Sequence, residues 1–124
     1  MIFTGLVESS KVKQYLSECK ILTITRPSTI QTQAGFPTKL GEYFATEKPI
    51  LATNFGDMEA YFTDTFDLII AECGNPESIA LKIKWMLQNT KELESITRRG
   101  YKKARQLLEY NTSVERMINL LESN

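Results

Sequence analysis

The chain predicts an α/β domain: a parallel sheet of about four short strands with flanking helices and a helical C-terminal tail. Two observations carry this. Short apolar or β-branched runs (MIFTG, ILTIT, PILAT and residues 66–71 around DLII) alternate with stretches whose apolar residues recur at helical spacing. That alternation is the pattern of βαβ units. After Gly74 the strand-like runs stop and helical periodicity continues alone. With 124 residues, 42% of them hydrophobic, the chain has the length for one domain with its own core. Residues 1–74 are assigned to the βα units and residues 75–124 to the tail.

Taken in order, MIFTG ends in glycine and reads as a strand starting at the terminus. Ser9 or Ser10 caps a helix through Cys19, with Val12, Tyr15 and Leu16 on one face. ILTIT, residues 21–25, alternates and is β-branched, so a second strand follows. Residues 26–34 are polar and lack periodicity, and read as a long loop of functional character. A helix from Thr38 to Thr46 leads to the third strand, PILAT. The turn Asn54–Phe55–Gly56–Asp57 follows, with Asp57 capping a short helix to Phe62, then the fourth strand over 66–71. In the tail, Asn75–Pro76–Glu77 opens a helix with Ile79, Ile83, Met86 and Leu87 inward. A second helix runs over 91–109. Gly100 within it marks close packing or a bend, since glycine costs about 1 kcal/mol relative to alanine there. A last helix follows Asn111–Thr112–Ser113.

Composition excludes several classes of function. Lys+Arg and Asp+Glu stand at 15 each, so no global charge draws the chain to nucleic acid or an anionic membrane. The basic run Arg98, Arg99, Lys102, Lys103, Arg105 reads as a solvated helix face. There is no histidine, which removes Ser–His and Cys–His machinery and every histidine-based zinc site. Cys19 and Cys73 stand far apart and read as small core or near-core residues, reduced as in the cytosol. No leader and no membrane-length apolar run is read. A phosphorelay receiver domain shares the length and alternation. It needs clustered acids after the first strand, and Thr4–Gly5 and Thr25–Arg26 supply none.

One stretch, GFPTKLGEYFA, joins a glycine–proline loop to a helix. Pro37 suits the first turn because its missing N–H would have no helical partner. The amides of Thr38, Lys39 and Leu40 then point outward, where the helix dipole favours a phosphate or carboxylate. Glu42, one turn further, is placed to accept hydrogen bonds from hydroxyl groups of the same ligand. In an open parallel sheet, ligands sit beyond the carboxyl ends of the strands, where residues 4–7, 26–37 and 53–57 emerge. Gly5 and Gly56 read as plain tight turns, Trp85 and Tyr101 as core or domain-contact aromatics, and Asp64 and Asp67 as turn residues.

These motifs, in order, resemble the C-terminal half of a GT-B glycosyltransferase of family 4, the group 1 retaining enzymes. IFTGLVESSKVKQYLSECKILTI is similar to the strand, helix and strand leading to the donor loop. GFPTKLGEYFATEKPILATNFGDMEAYF is similar to the donor-site signature itself, and DLIIAECGNPESIALKIKWMLQN to the closing elements. The resemblance spans essentially the whole chain and is most specific in GFPTKLGEYFA–KPILAT. It implies a Rossmann-like domain that binds a nucleotide-sugar donor. Glu42 would hold the ribose hydroxyls. Gly35, Phe36 and Pro37 would line the sugar and diphosphate, the amides of Thr38, Lys39 and Leu40 would meet the phosphates, and Thr4, Gly5 and Leu6 would edge the base pocket. No cofactor or metal ion is implied. The family's earlier glutamate falls on Ala34, a departure at the position that faces the donor sugar.

The resemblance further implies an N-terminal acceptor domain and two more strands with a basic pair, none of which lies in this chain. The expectation is a fragment without transferase activity of its own, cytoplasmic, from a parent enzyme peripheral to the inner face of the membrane. Residues 2–4 would then either pair with residues 21–25 or leave an exposed edge for self-association. The reading from another class is a non-catalytic binding or assembly module that kept the fold, and a third is an unrelated nucleotide-binding α/β domain.

Overall fold

Three of the strand-like runs become the sheet of the computed structural model, which describes residues 2–35 and 38–108. They are β1 (Leu22–Ile24), β2 (Ile50–Thr53) and β3 (Ile69–Ala71), all parallel, in the order β1-β2-β3. Leu22 pairs with Ile50 and Ile24 with Ala52. Leu51 pairs with Ile69 and Thr53 with Ala71. The central strand is buried along its whole length, as expected of a parallel strand covered on both faces.

The helices, in chain order, are α1 (Ser9–Glu18), α2 (Ile30–Gln33), α3 (Lys39–Phe44), α4 (Met58–Tyr61), α5 (Pro76–Gln88) and α6 (Thr90–Leu108). On one face of the sheet Ile24, Ile50, Ala52 and Ile70 pack with Leu40, Phe44, Phe55, Met58 and Phe62. The Phe44 and Phe62 rings stack there at 5.1 Å. On the other face Leu51, Ile69 and Ala71 pack with Met86 of α5 and with Leu93 and Ile96 of α6. Ala104, further along α6, joins the first face instead. Helix α6 therefore passes from one face to the other beside the amino end of β3. Gly100 sits at this passage: a Cβ there would overlap the Asp67 carbonyl oxygen and lie 2.8 Å from Cε1 of Phe44.

The amino end of β3 is tied to the helices by charge. Asp67, 2% exposed, accepts from Nζ of Lys103 at 2.6 Å and from the Thr63 amide at 2.9 Å. Asp64 accepts from the Ile70 amide at 2.8 Å and from Lys82. Arg99 donates to the Phe66 carbonyl at 2.9 Å and lies over the Phe66 ring. The basic run on α6 is thus not simply a solvated face, because two of its members fasten the turn before β3.

Several expectations are corrected. Residues 2–4 form no strand and pair with nothing, so the sheet has three strands among the described residues. Ile2 and Phe3 are 91% and 84% exposed, and α1 buries no residue. Local composition favours extension there, but no neighbouring strand takes it up. Glu8, not Ser9 or Ser10, precedes α1, and neither it nor Asp57 at α4 caps through its side chain. The loop over 26–34 contains α2, held by Thr29 and Thr32, each side chain bonding the other's amide. Leu87 is 58% exposed, one residue past the buried Met86. Cys19 is exposed rather than near-core. Asn75 caps α5 as expected, accepting from the Ser78 amide at 3.0 Å with Pro76 first in the helix. The last predicted helix, after Asn111–Thr112–Ser113, lies outside the described residues.

Candidate functional site

The carboxyl ends of the three strands are laced together by polar contacts. Thr53, buried at the end of β2, accepts from the Arg26 amide and donates to the Arg26 carbonyl, both at 3.0 Å. A threonine in the last position of a covered strand has a hydroxyl to satisfy, and the loop after β1 satisfies it. The Cys73 thiol also donates to the Arg26 carbonyl, at 2.9 Å. The Cys73 amide in turn donates to Oδ1 of Asn54 at 2.7 Å, and the Asn54 amide to the Ala71 carbonyl at 3.0 Å. The loops leaving β1, β2 and β3 therefore hold one another.

From Arg26 the chain folds through α2. Thr32 donates its hydroxyl to the Pro27 carbonyl at 2.7 Å, and Gln33 donates to Oγ of Ser28 at 2.8 Å. Helix α2 ends against the turn after β2. Gly56, at φ +56°, has room there only because it has no side chain: a Cβ would lie 2.8 Å from the Gly35 carbonyl and 3.0 Å from that of Thr32. The glycine of the turn and the glycine of the loop meet backbone to backbone. Among the described residues, a Cβ at Gly35 would reach only the Gln31 carbonyl, at 4.0 Å.

Helix α3 then starts. Leu40 is fully buried and Phe44 nearly so, which fixes the helix to the sheet, while Thr38, Lys39 and Glu42 face solvent. A first helical turn has amides without intrahelical partners. The side chain of Tyr43 packs against the core, and burial pushes its phenol up, with Cys19 and Glu42 adding to the rise.

The predicted site residues are placed as follows. Gly35, Thr38, Lys39, Leu40 and Glu42 lie together on one stretch at the carboxyl side of the sheet. Phe36 and Pro37 lie outside the described residues. Thr4, Gly5 and Leu6 lie on the exposed segment before α1, with Leu6 fully exposed and the Thr4 hydroxyl donating to the Gly5 carbonyl at 3.4 Å. Sequence reasoning placed Arg26 and Thr53 in the segments beyond the strand ends and read Gly56 as a plain tight turn, without seeing the contacts that join them. The polar end of PILAT was a signal for Thr53. The contact of Gly56 with Gly35 had none, because it is made between distant parts of the chain.

A cavity of about 550 Å³ opens at the opposite, amino end of the sheet, against Ile21, Pro49, Met86 and Leu93. It is rimmed by Lys20, Lys48 and Arg98 together with Glu47 and Glu94, and none of the loop residues above lines it. Among the described residues no group of three or more cysteines and acids gathers as for a metal ion. Among them, too, no helix is long and apolar enough to cross a membrane.

A family model described as glycosyl transferases group 1 matches residues 1–103. Among solved structures, Anabaena HepE in complex with UDP-glucose superposes with a TM-score of 0.74 at 18% identity, over 90% of this chain and 29% of that one. Sucrose-phosphate synthase from Thermosynechococcus elongatus gives 0.76 at 14% identity, over 98% and 29%. The C-terminal domain of a group 1 glycosyl transferase family protein from Francisella tularensis gives 0.68 at 18% identity, over 89% and 52%. At such identities the likeness shows the fold. The chain spans 29% of the length of the first two structures. No curated protein matches it by sequence.

Proposed function

The chain belongs to the glycosyl transferases group 1 family, and on that premise we propose that it forms the nucleotide-sugar-binding portion of a retaining glycosyltransferase. The parent enzyme moves a sugar from a nucleoside diphosphate to an acceptor with retained anomeric configuration. One observation carries the reading: the Gly35 carbonyl is seated against Gly56 at the carboxyl end of the sheet, shortly before the start of α3 at Lys39. A loop closed by its own side chains would favour the non-catalytic module instead.

In this reading Glu42 accepts hydrogen bonds from the ribose hydroxyls. Gly35, Phe36 and Pro37 line the sugar and diphosphate, and the amides of Thr38, Lys39 and Leu40 meet the phosphates. Negative charge grows on the leaving diphosphate as the glycosidic bond breaks. Amides already fixed in the fold stabilise it without reorganising, so no metal ion is required. Thr4, Gly5 and Leu6 edge the base. The acceptor is held by a domain outside this chain, in the cytoplasm, which accords with the short share of HepE that the chain covers. By itself the chain binds donor without turning it over.

HepE is described in complexes with UDP-glucose and with UDP and glucose, which makes a uridine nucleotide the first ligand to try. The test is a thermal-shift titration with UDP, GDP and their sugar conjugates on the wild type and on Glu42→Ala. Binding to the wild type, weakened about tenfold by the loss of a charge-assisted contact, supports the assignment. Unchanged affinity in Glu42→Ala contradicts the ribose role, and a wild type that binds none of these nucleotides contradicts the donor reading.

A further inference from the structure

Arg26 is held more firmly than an exposed loop arginine needs to be. Its amide and its carbonyl are both bonded to the buried Thr53 hydroxyl, and the carbonyl takes a further hydrogen bond from Cys73. Its guanidinium lies 5.7 Å from the centre of the Phe55 ring. Phe55 is buried and immediately precedes Gly56, the residue on which the Gly35 carbonyl rests. The arginine therefore stands at the carboxyl end of the sheet, beside the turn that carries the loop.

Three other cations are committed elsewhere, while Lys39 at the start of α3 is exposed near the same end of the sheet as Arg26. Lys103 and Lys82 pair with Asp67 and Asp64, and Arg99 serves the Phe66 carbonyl, all beside the amino end of β3. Among the described residues no carboxylate pairs with Arg26. An aromatic face beneath a guanidinium restrains the planar group while leaving its N–H donors free at the edge. Such a fork suits the two oxygens of a phosphoryl group, and restraint before binding lowers the entropy lost on binding.

We propose that Arg26 binds the diphosphate of the donor, supplying a positive charge that the uncharged amides at the start of α3 lack. The inference rests on the nucleotide-sugar reading above and adds a residue to it. Thr53 and Phe55 act through Arg26 as positioning residues: the first fixes its backbone and the second its side chain.

The test is an NMR titration of the wild type, Arg26→Gln and Arg26→Lys with UDP and GDP, each against its nucleoside. Arg26→Gln is expected to weaken diphosphate binding about tenfold or more, with nucleoside binding unchanged. Arg26→Lys, which keeps the charge and loses the fork, is expected to fall between. Arg26→Gln binding the diphosphate as the wild type does, or losing diphosphate and nucleoside equally, overturns the assignment and leaves the donor reading standing. A wild type that binds neither diphosphate overturns the donor reading and this inference with it.

Discussion

The two ends of the sheet are built by different means. At the amino end of β3, Gly100 lies against the Asp67 carbonyl and the buried Asp67 carboxylate is matched by Lys103. At the carboxyl end the contacts are hydrogen bonds among loops and one close backbone approach, of Gly56 to Gly35, with exposed polar groups that include Arg26 and Lys39. Breaking close packing or stranding a buried charge is costly, because neither loss has a solvent remedy. Exposed loops bound by single hydrogen bonds contribute about 1 kcal/mol each and leave their remaining donors for a ligand. The difference teaches a division of labour: the amino end of β3 holds the fold, and the carboxyl end presents a surface. A cavity of about 550 Å³ lies at the amino end, away from the proposed donor loop.

Substitutions can break or sharpen that contrast. The largest effect is expected from Gly100→Ala. Alanine favours a helix by about 1 kcal/mol over glycine, but its Cβ must enter the space of the Asp67 carbonyl. A net loss of about 3 kcal/mol in urea unfolding is expected, and a gain in stability would mean that α6 does not press on β3. Lys103→Met should cost about 2 kcal/mol, because it strands the Asp67 carboxylate. That is less than for a fully enclosed pair, since Lys103 is 35% exposed. Nucleotide binding should survive in this variant, and its loss would erase the distinction between the two ends.

Gly56→Ala belongs to the other end. A side chain at φ +56° and the crowding of the Gly35 carbonyl should together cost about 1–2 kcal/mol. The loop must shift, so donor affinity should fall even at temperatures where the variant is fully folded, as read by calorimetric titration. Glu42→Ala should be smallest in stability, within about 0.5 kcal/mol, as the side chain is exposed. Unfolding of that variant at the wild-type urea midpoint, with binding weakened about tenfold, would separate the two kinds of end most cleanly.

Much of the fold was legible where one segment decides its own fate. PILAT is apolar up to its last residue and became the covered central strand, and Asn75–Pro76 announced the start of α5. MIFTG misled because a strand needs a neighbour as well as a composition, and residues 2–4 find none. The reciprocal cap of α2 uses Thr32 where a glutamate would have made the signal plain. Lys103 and Arg99 looked solvated because their partners, Asp67 and Phe66, stand far upstream. The same limit applies to the site. Gly35 through Glu42 could be read locally, whereas Arg26 and Gly56 acquire their meaning from Thr53 and Gly35 across the sheet.

The central claim is that ligand binding belongs to the carboxyl end. Mapping amide chemical shifts during a UDP titration of the labelled chain tests it directly. The account predicts that the perturbed amides gather at Arg26, Gly35, Lys39, Leu40, Glu42 and Gly56. Perturbations gathered instead at Ile21, Glu47, Leu93 and Thr97, around the amino-end cavity, would contradict it.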